Sequence, residues 1–415
     1  MTAFRTADIL LPDYNAEQMK KWAVVACDQY TSEPDYWNDV RAMTSGTPST
    51  LDLILPEAFL SDSEKLIPQI NAKMAQLLDS GFFKEYKDCF VLVKRTQADG
   101  RVRVGLVGAI DLEEYDYHKG SRSLVRATEA TVAERIPPRV KIRTNAPLEL
   151  PHIMILIDDK DNTVIEPLLN ANLTELYNFD MMKNGGHIEG YKVIGETADA
   201  VLAALDKLAD KKSLNEKYSL DNEDVLLFAM GDGNHSLATA KECYEQKKRE
   251  GSPDAELARY ALVELVNLHS PALEFEAIHR VVNGVDYNDL MEKMTAALGL
   301  SENDAHGQRF TMIFDGNIRE FGITKPTSNL AVGSLQTFLD EYLKANGGEI
   351  DYIHGEDTVK KLCAENNAVG FLLPSMEKSE LFPTVIKDGA LPRKTFSMGH
   401  AHDKRFYVEA RQIRK

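Results

Sequence analysis

Between Asp224 and Glu250 the chain reads DVLLFAMGDGNHSLATAKECYEQKKRE, and no other stretch limits its fold as strongly. Val225 to Met230 is an apolar run of the length and character of a buried strand. Gly231-Asp232-Gly233-Asn234-His235-Ser236 follows. A helical pattern comes next, with Leu237, Ala240 and Tyr244 on one face and Lys241, Gln246, Lys247 and Lys248 largely off it. Ser236 or Asn234 can cap that helix by accepting from a first-turn N–H. Gly231 and Gly233 can take positive φ and let a ligand approach the backbone closely. Strand, glycine turn and helix start together present N–H groups and the positive end of a helix to a phosphate.

The turn also carries reactive side chains. Asp232 can hold a metal or accept a proton. His235 can serve as acid, base or transition-state donor. The plainer alternative is a tight turn closed by an Asx bond from Asp232 or Asn234, beside a histidine that only packs. With Asp, Asn and His interleaved with the glycines, the functional reading is preferred.

GDGNHSLATA resembles the D-G-N/H-H-R turn of domain-of-unknown-function family 1015. That turn in its turn resembles the G-x-H-R motif of the ParB/sulfiredoxin-like fold, which includes a free-serine kinase and in which the motif holds nucleotide phosphates at a helix N-terminus. Here Ser236 stands where the family has Arg, so another Arg must supply the lost guanidinium. Arg126-Ala127-Thr128-Glu129-Ala130-Thr131 resembles the family's R-H-E-x-T element, with Ala127 in place of His. His279-Arg280 resembles its I-x-P-x-H-R element, and Arg393-Lys394-Thr395 its P-x-K-S-T-Y-F segment. The resemblance implies Arg126 or Arg280 as the phosphate clamp, with Glu129 and His279 beside them. It also implies Asp28 as the base, from the acidic residue near the N-terminus of the resembled kinase.

A formal net charge of −17 argues against nucleic acid as the main partner, since phosphates are neutralised by Lys and Arg. Cys27, Cys89, Cys243 and Cys363 form no CxxC pair, which suits a reduced, cytoplasmic protein. The first residues lack the apolar core of a signal peptide. No apolar run approaches the roughly 18 residues needed to span a bilayer.

Trp22 to Cys27 reads as a buried strand that ends at Asp28, either a catalytic placement or the start of a plain turn. Residues 56–80 read as helical up to Gly81. Phe90 to Lys94 and Arg101 to Ile110 read as strands joined at Asp99-Gly100. In Lys119 to Arg143, Glu129, Ala133 and Ile136 continue a helical pattern that Pro137-Pro138 ends. Arg126 there is either a phosphate ligand or half of a surface Arg–Glu pair. Leu148 to Asp158 reads as a strand; Asp158-Asp159 is a metal pair or, preferably, a turn. His187 is expected in a loop and Ala198 to Asp210 in a helix. Ala258 to Leu268 reads as a strand or a buried helix. His279 and Arg280, in the buried segment Leu273 to Val282, are a phosphate clamp or a core His with a paired Arg. His400 and His402, two apart, are a weak metal pair.

The chain's 415 residues, 43% hydrophobic, suffice for two or three domains. The expected fold is α/β, or α+β, with mixed sheets: residues 1–283 hold a ParB/sulfiredoxin-like element with a large insertion, and residues 284–415 a smaller α/β unit. The expected function is a nucleotide-dependent phosphotransferase using Mg²⁺ and ATP or ADP on a small hydroxyl metabolite, for which the resemblance implies serine or phosphoserine. The alternatives are a non-enzymatic nucleotide-binding switch and a phosphatase or other hydrolase at the same turn. The partners expected are nucleotide and small molecule, not nucleic acid or membrane; oligomeric state is left open.

Overall fold

A computed structural model describes residues 3–129, 136–302, 307–366 and 368–415. The chain forms two compact units, one of Met1–Leu273 with His400–Lys415 and one of Glu274–Gly399. Asn283-Gly284 lies at the end of the Phe275–Asn283 strand, inside the second unit.

The first unit is built on an eleven-stranded mixed sheet among the described residues. Phe83–Thr96 and Val102–Asp111 form a hairpin with Val91 opposite Val107 and Thr96 opposite Val102, as the Asp99-Gly100 signal predicts. Along the first of these strands Val91 and Val93 enter one apolar cluster, while Phe90 and Leu92 enter another. Successive side chains point to opposite faces, so a continuous apolar run is what a sheet covered on both faces requires. Tyr260–Asn267 pairs antiparallel with Val102–Asp111 and parallel with Met154–Ile157, resolving the open choice there in favour of a strand. Phe228–Asp232 lies between Met154–Ile157, antiparallel, and Val125–Arg126, parallel.

Several expectations are corrected. Trp22 closes a helix, Ala16–Trp22, started by a capping box between Asn15 and Gln18. Six apolar residues do not separate the last turn of a helix from a strand, and the box decides it. Beyond it Val25 makes only an isolated bridge, to Phe406. Pro137-Pro138 lie in the first turn of Ile136–Thr144, where missing N–H groups are tolerated. Ala130 to Arg135, which hold most of the expected helical pattern, lie outside the described residues. Leu148 to Asp158 is two strands, Leu148–Glu149 and Met154–Ile157, separated at Pro151. His187 opens the strand His187–Val193 and its Nδ1 lies 2.7 Å from Asp180 Oδ1.

The tail is tied into the first unit. Ala26 N–H donates to Arg405 O (2.9 Å), Tyr407 N–H to Val24 O (2.8 Å) and Trp22 Nε1 to Val408 O (2.8 Å). Buried Arg95 donates to the carbonyls of Gly185, His402, Asp403 and Lys404. Buried Arg405 pairs with Glu264 and, at 2.6 Å, with Glu409. Buried charges persist only when matched in this way.

The second unit is built on a sheet of seven strands among the described residues, with Phe275–Asn283 between Val369–Leu372 and Glu349–His354. Its helices include Tyr287–Leu298, Ala331–Asn346 and Glu356–Asn366. The architecture is thus mixed α/β. Among the described residues no helix is long and apolar enough to cross a membrane.

Candidate functional site at the Asp232–Ser236 turn

The Phe228–Asp232 strand feeds directly into the Asn234–Arg249 helix through Gly233. Gly233 adopts φ 81°, ψ 28°, a left-handed conformation that side chains other than glycine rarely take. A Cβ there would meet the Ile153 Cα at 3.1 Å. Gly231 behaves differently from expectation. It has no positive φ; it sits in the strand where the register with Met154–Ile157 shifts between Met230 and Asp232. The irregularity leaves Gly231 as the extra residue of a bulge, and Asp232 pairs again, opposite Met154.

Neither Ser236 nor Asn234 caps the helix. Gly233 is the N-cap and makes no side-chain cap bond. Asn234 Oδ1 instead accepts from Thr128 N–H (3.0 Å), and Thr128 Oγ1 donates to Met230 O (2.8 Å). The polar side chains of the turn therefore face neighbouring segments, and its N–H groups keep the positive end of the helix dipole.

Asp232 is half-buried. Its Oδ1 accepts from Gly233 N–H (2.8 Å) and its Oδ2 from Lys404 Nζ (3.1 Å). Burial pushes its carboxyl pKa up, but Lys404 and His152 outweigh this and hold it below the usual carboxylate value. Asp232 is therefore ionised at neutral pH.

Ser236 Oγ lies 2.8 Å from His152 Nε2, and His152 Nδ1 lies 3.0 Å from the Tyr407 hydroxyl. The hydroxyl also accepts from Cys27 N–H (3.1 Å). Burial, with Cys27 and Asp28 nearby, pushes the Tyr407 phenol well above its ordinary pKa, so it stays protonated. His152 Nδ1 thus faces the Tyr407 hydroxyl and Nε2 faces Ser236. A hydrogen-bond chain thus links Cys27, next to Asp28, with the helix start. Asp28 is half-buried and accepts from Gln29 Nε2 at 3.1 Å.

His235 is half-buried in the first helical turn, and its carbonyl accepts from Thr239 Oγ1 (2.7 Å). Arg126 is buried and its donors face the start of the Phe228–Asp232 strand: Nε to Ser123 O (2.8 Å), Nη2 to Asp224 O (3.0 Å) and Val225 O (3.4 Å). Glu129 is half-buried. His279 and Arg280 belong to the second unit. His279 Nδ1 accepts from Leu373 N–H (3.1 Å), and burial holds the ring below its usual pKa. Arg280 donates to Gln336 Oε1 (3.1 Å) and Arg393 O (3.0 Å) and lies over the Tyr352 ring. Arg393 also donates to Asp340 (2.5 Å), and Thr395 Oγ1 to Pro392 O (2.6 Å). Asp158 accepts from His269 and Tyr218, and Asp159 closes a turn by accepting from Thr163 and Val164 N–H. No group of three or more potential metal ligands occurs among the described residues.

A family model described as Protein of unknown function (DUF1015) matches residues 12–342. The chain belongs to that family.

The DUF1015 match spans the strand, the turn and the helix that organise the site. Solved structures similar to this DUF1015 chain include a conserved hypothetical protein from Pyrococcus furiosus, 12% identical, covering 74% of this chain and 94% of that one with a TM-score of 0.36. Free serine kinase in complex with AMP is 11% identical, with coverage of 74% and 91% and a TM-score of 0.38. A variant of free serine kinase in complex with ADP is 12% identical, with coverage of 75% and 93% and a TM-score of 0.40. No curated protein matches the chain.

Three residues of the site escaped sequence reading: His152, Lys404 and Tyr407. His152 stands between Pro151 and a buried strand, a position that marks a strand entrance but no partner. Lys404 and Tyr407 lie in a tail whose only sequence signal is its charge.

Proposed function

We propose that this DUF1015 chain is a nucleotide-dependent phosphotransferase acting on a small hydroxyl metabolite. The observation that carries this reading is the left-handed Gly233 at the mouth of the Asn234–Arg249 helix, with Asp232, Lys404, His152 and Ser236 gathered at that helix end. Phosphoryl transfer needs positive groups on the transferred oxygens, an oriented hydroxyl and a proton acceptor. The first-turn N–H groups supply the first by dipole and hydrogen bonding. Lys404 and His152 stand at the helix start, where Ser236 leaves no guanidinium.

The acceptor oxygen bonds to phosphorus as the bond from phosphorus to the leaving nucleotide oxygen breaks. The acceptor's proton passes to Asp28 or His235. A magnesium ion takes one or two protein carboxylates and otherwise phosphate and water oxygens. The ionised Asp232 fits that demand, and the ion when bound neutralises phosphate charge. ATP or ADP is the donor in this reading.

Calorimetric titration with ADP, ATP and CTP, followed by a transfer assay on hydroxyl amino acids with and without Mg²⁺, tests it. Nucleotide binding with neither transfer nor hydrolysis would leave a nucleotide-binding switch.

A further inference from the structure

Beside the turn, within the first unit, lies a cleft of about 150 Å³. Its walls come from Leu53, Leu55, Leu60, Met74, Ile142 and Leu150, and its polar end from Ser236, His152 and Tyr407. The charges of Arg143 and Glu149 on its wall are matched: Arg143 donates to Glu149, which also accepts from Arg411 Nε at 2.6 Å. Cys27 lines it too and is half-buried, while the other three cysteines are buried.

Resting on the phosphotransferase reading, we infer that this cleft is the acceptor site, and that the acceptor is a compound with an apolar body and a terminal hydroxyl rather than serine. A water needs about 10–15 Å³ of such space, so the cleft holds on the order of ten non-hydrogen atoms. Apolar walls gain free energy from burying methylenes and lose it from stripping water from an ammonium or carboxylate. The hydroxyl goes to the end formed by Ser236, His152 and Tyr407, beside the helix start where the phosphate is held. Glu57 also lines the cleft and favours an ammonium, so serine belongs in the test.

The test reads occupancy at Cys27. The wild-type chain is alkylated with iodoacetamide, and modification of Cys27 is followed by peptide mass in the presence of ethanol, butanol, hexanol or serine. Protection is expected to rise about fourfold in affinity per added methylene, the equivalent of ~0.8 kcal/mol per buried CH₂, until the cleft is full. Ala146→Trp and Leu150→Phe, which narrow the cleft, are expected to weaken hexanol tenfold or more and to leave ADP affinity unchanged. The unchanged ADP affinity also shows that each variant is folded. A flat alcohol series, or serine protecting better than hexanol, overturns the inference. Failure of the wild type to bind any nucleotide overturns the phosphotransferase reading instead, and the two failures are read by separate measurements.

Discussion

Lys404 Nζ stands 3.1 Å from Asp232 Oδ2 across 172 positions of sequence. The pair ties the tail of the chain to the turn and decides the charge state of the candidate metal ligand. Asp232 has a folded-state pKa held below its usual value, burial being outweighed by Lys404 and His152. A depressed carboxyl pKa contributes stability that is present above the unfolded value of about 3.9 and lost as pH falls through the folded value. Lys404→Met is therefore expected to cost about 1–3 kcal/mol at pH 7, the scale of a charged group left without its partner. The difference from wild type is expected to shrink below about pH 4 as Asp232 takes up a proton. Urea denaturation at pH 7 and pH 3 measures it; a difference that stays constant with pH would exclude the pair as its source.

Gly233→Val tests the turn. Valine at φ 81° is strained by about 1–3 kcal/mol, and its Cβ presses on the Ile153 backbone at 3.1 Å. Loss of phosphate and nucleotide binding is expected together with that destabilisation, in a chain that still folds. Unchanged ADP affinity by calorimetry would show that the backbone at Gly233 takes no part.

Arg126 is expected to report on stability before it reports on ligand. Its guanidinium satisfies the carbonyls of Ser123, Asp224 and Val225, so Arg126→Ala leaves half-buried acceptors without donors. A loss of about 3 kcal/mol follows from about 1–3 kcal/mol per unsatisfied group, discounted for relaxation. Arg126→Lys is expected to recover little, because one ammonium does not reproduce the planar fork. Denaturation midpoints of the two variants settle this, and a wild-type midpoint for Arg126→Ala would refute it.

What sequence made legible follows the range of the interactions. The Asp99-Gly100 hairpin, the Asn234–Arg249 helix and the Glu196–Leu208 helix rest on contacts between near neighbours in sequence, and their periodicity shows. The Ala16–Trp22 helix was hidden because its apolar end, Trp22, runs straight into the buried Ala23–Ala26 segment, so period alone could not divide helix from extended chain. Of the site, the Asp232–Ser236 turn was legible because backbone conformation and residue type are written in the same few letters. His152, Lys404 and Tyr407 were not, because each meets its partner only after strand pairing and the return of the tail. No local pattern encodes that return; it depends on buried Arg95 and Arg405, which as sequence are indistinguishable from surface arginines.

Arg95 tests the return directly. Its four carbonyl acceptors include His402, Asp403 and Lys404, and burial, then the nearby Arg103, lowers its pKa to about 9. Arg95→Met is expected to loosen the tail and so weaken the Lys404–Asp232 contact without touching the turn. Hydrogen exchange of the Tyr407 amide, which donates to Val24 O, is expected to speed tenfold or more, about 1.4 kcal/mol of local opening. Exchange at the wild-type rate would mean that Arg95 does not hold the tail.

Transfer itself is the last expectation. A bare phosphate cradle needs N–H groups and a cation; this turn adds an ionised carboxylate, Asp232, and an imidazole, His235, while the hydrogen-bond chain through His152 and Tyr407 brings the Asp28 segment to the same helix end. Asp232→Asn and His235→Ala are each expected to lower turnover about 10²-fold or more, the usual scale of one electrostatic or proton-transfer group. Asp28→Asn is expected to lower turnover to the same degree with nucleotide affinity intact, since a base acts on the acceptor oxygen and not on the phosphates. Tyr407→Phe separates chemistry from positioning: it removes the hydroxyl partner of His152 Nδ1, so the ¹⁵N signature of the ring is expected to change as turnover falls. Turnover unaffected by Asp232→Asn, His235→Ala and Asp28→Asn alike would place the chemistry elsewhere in the chain.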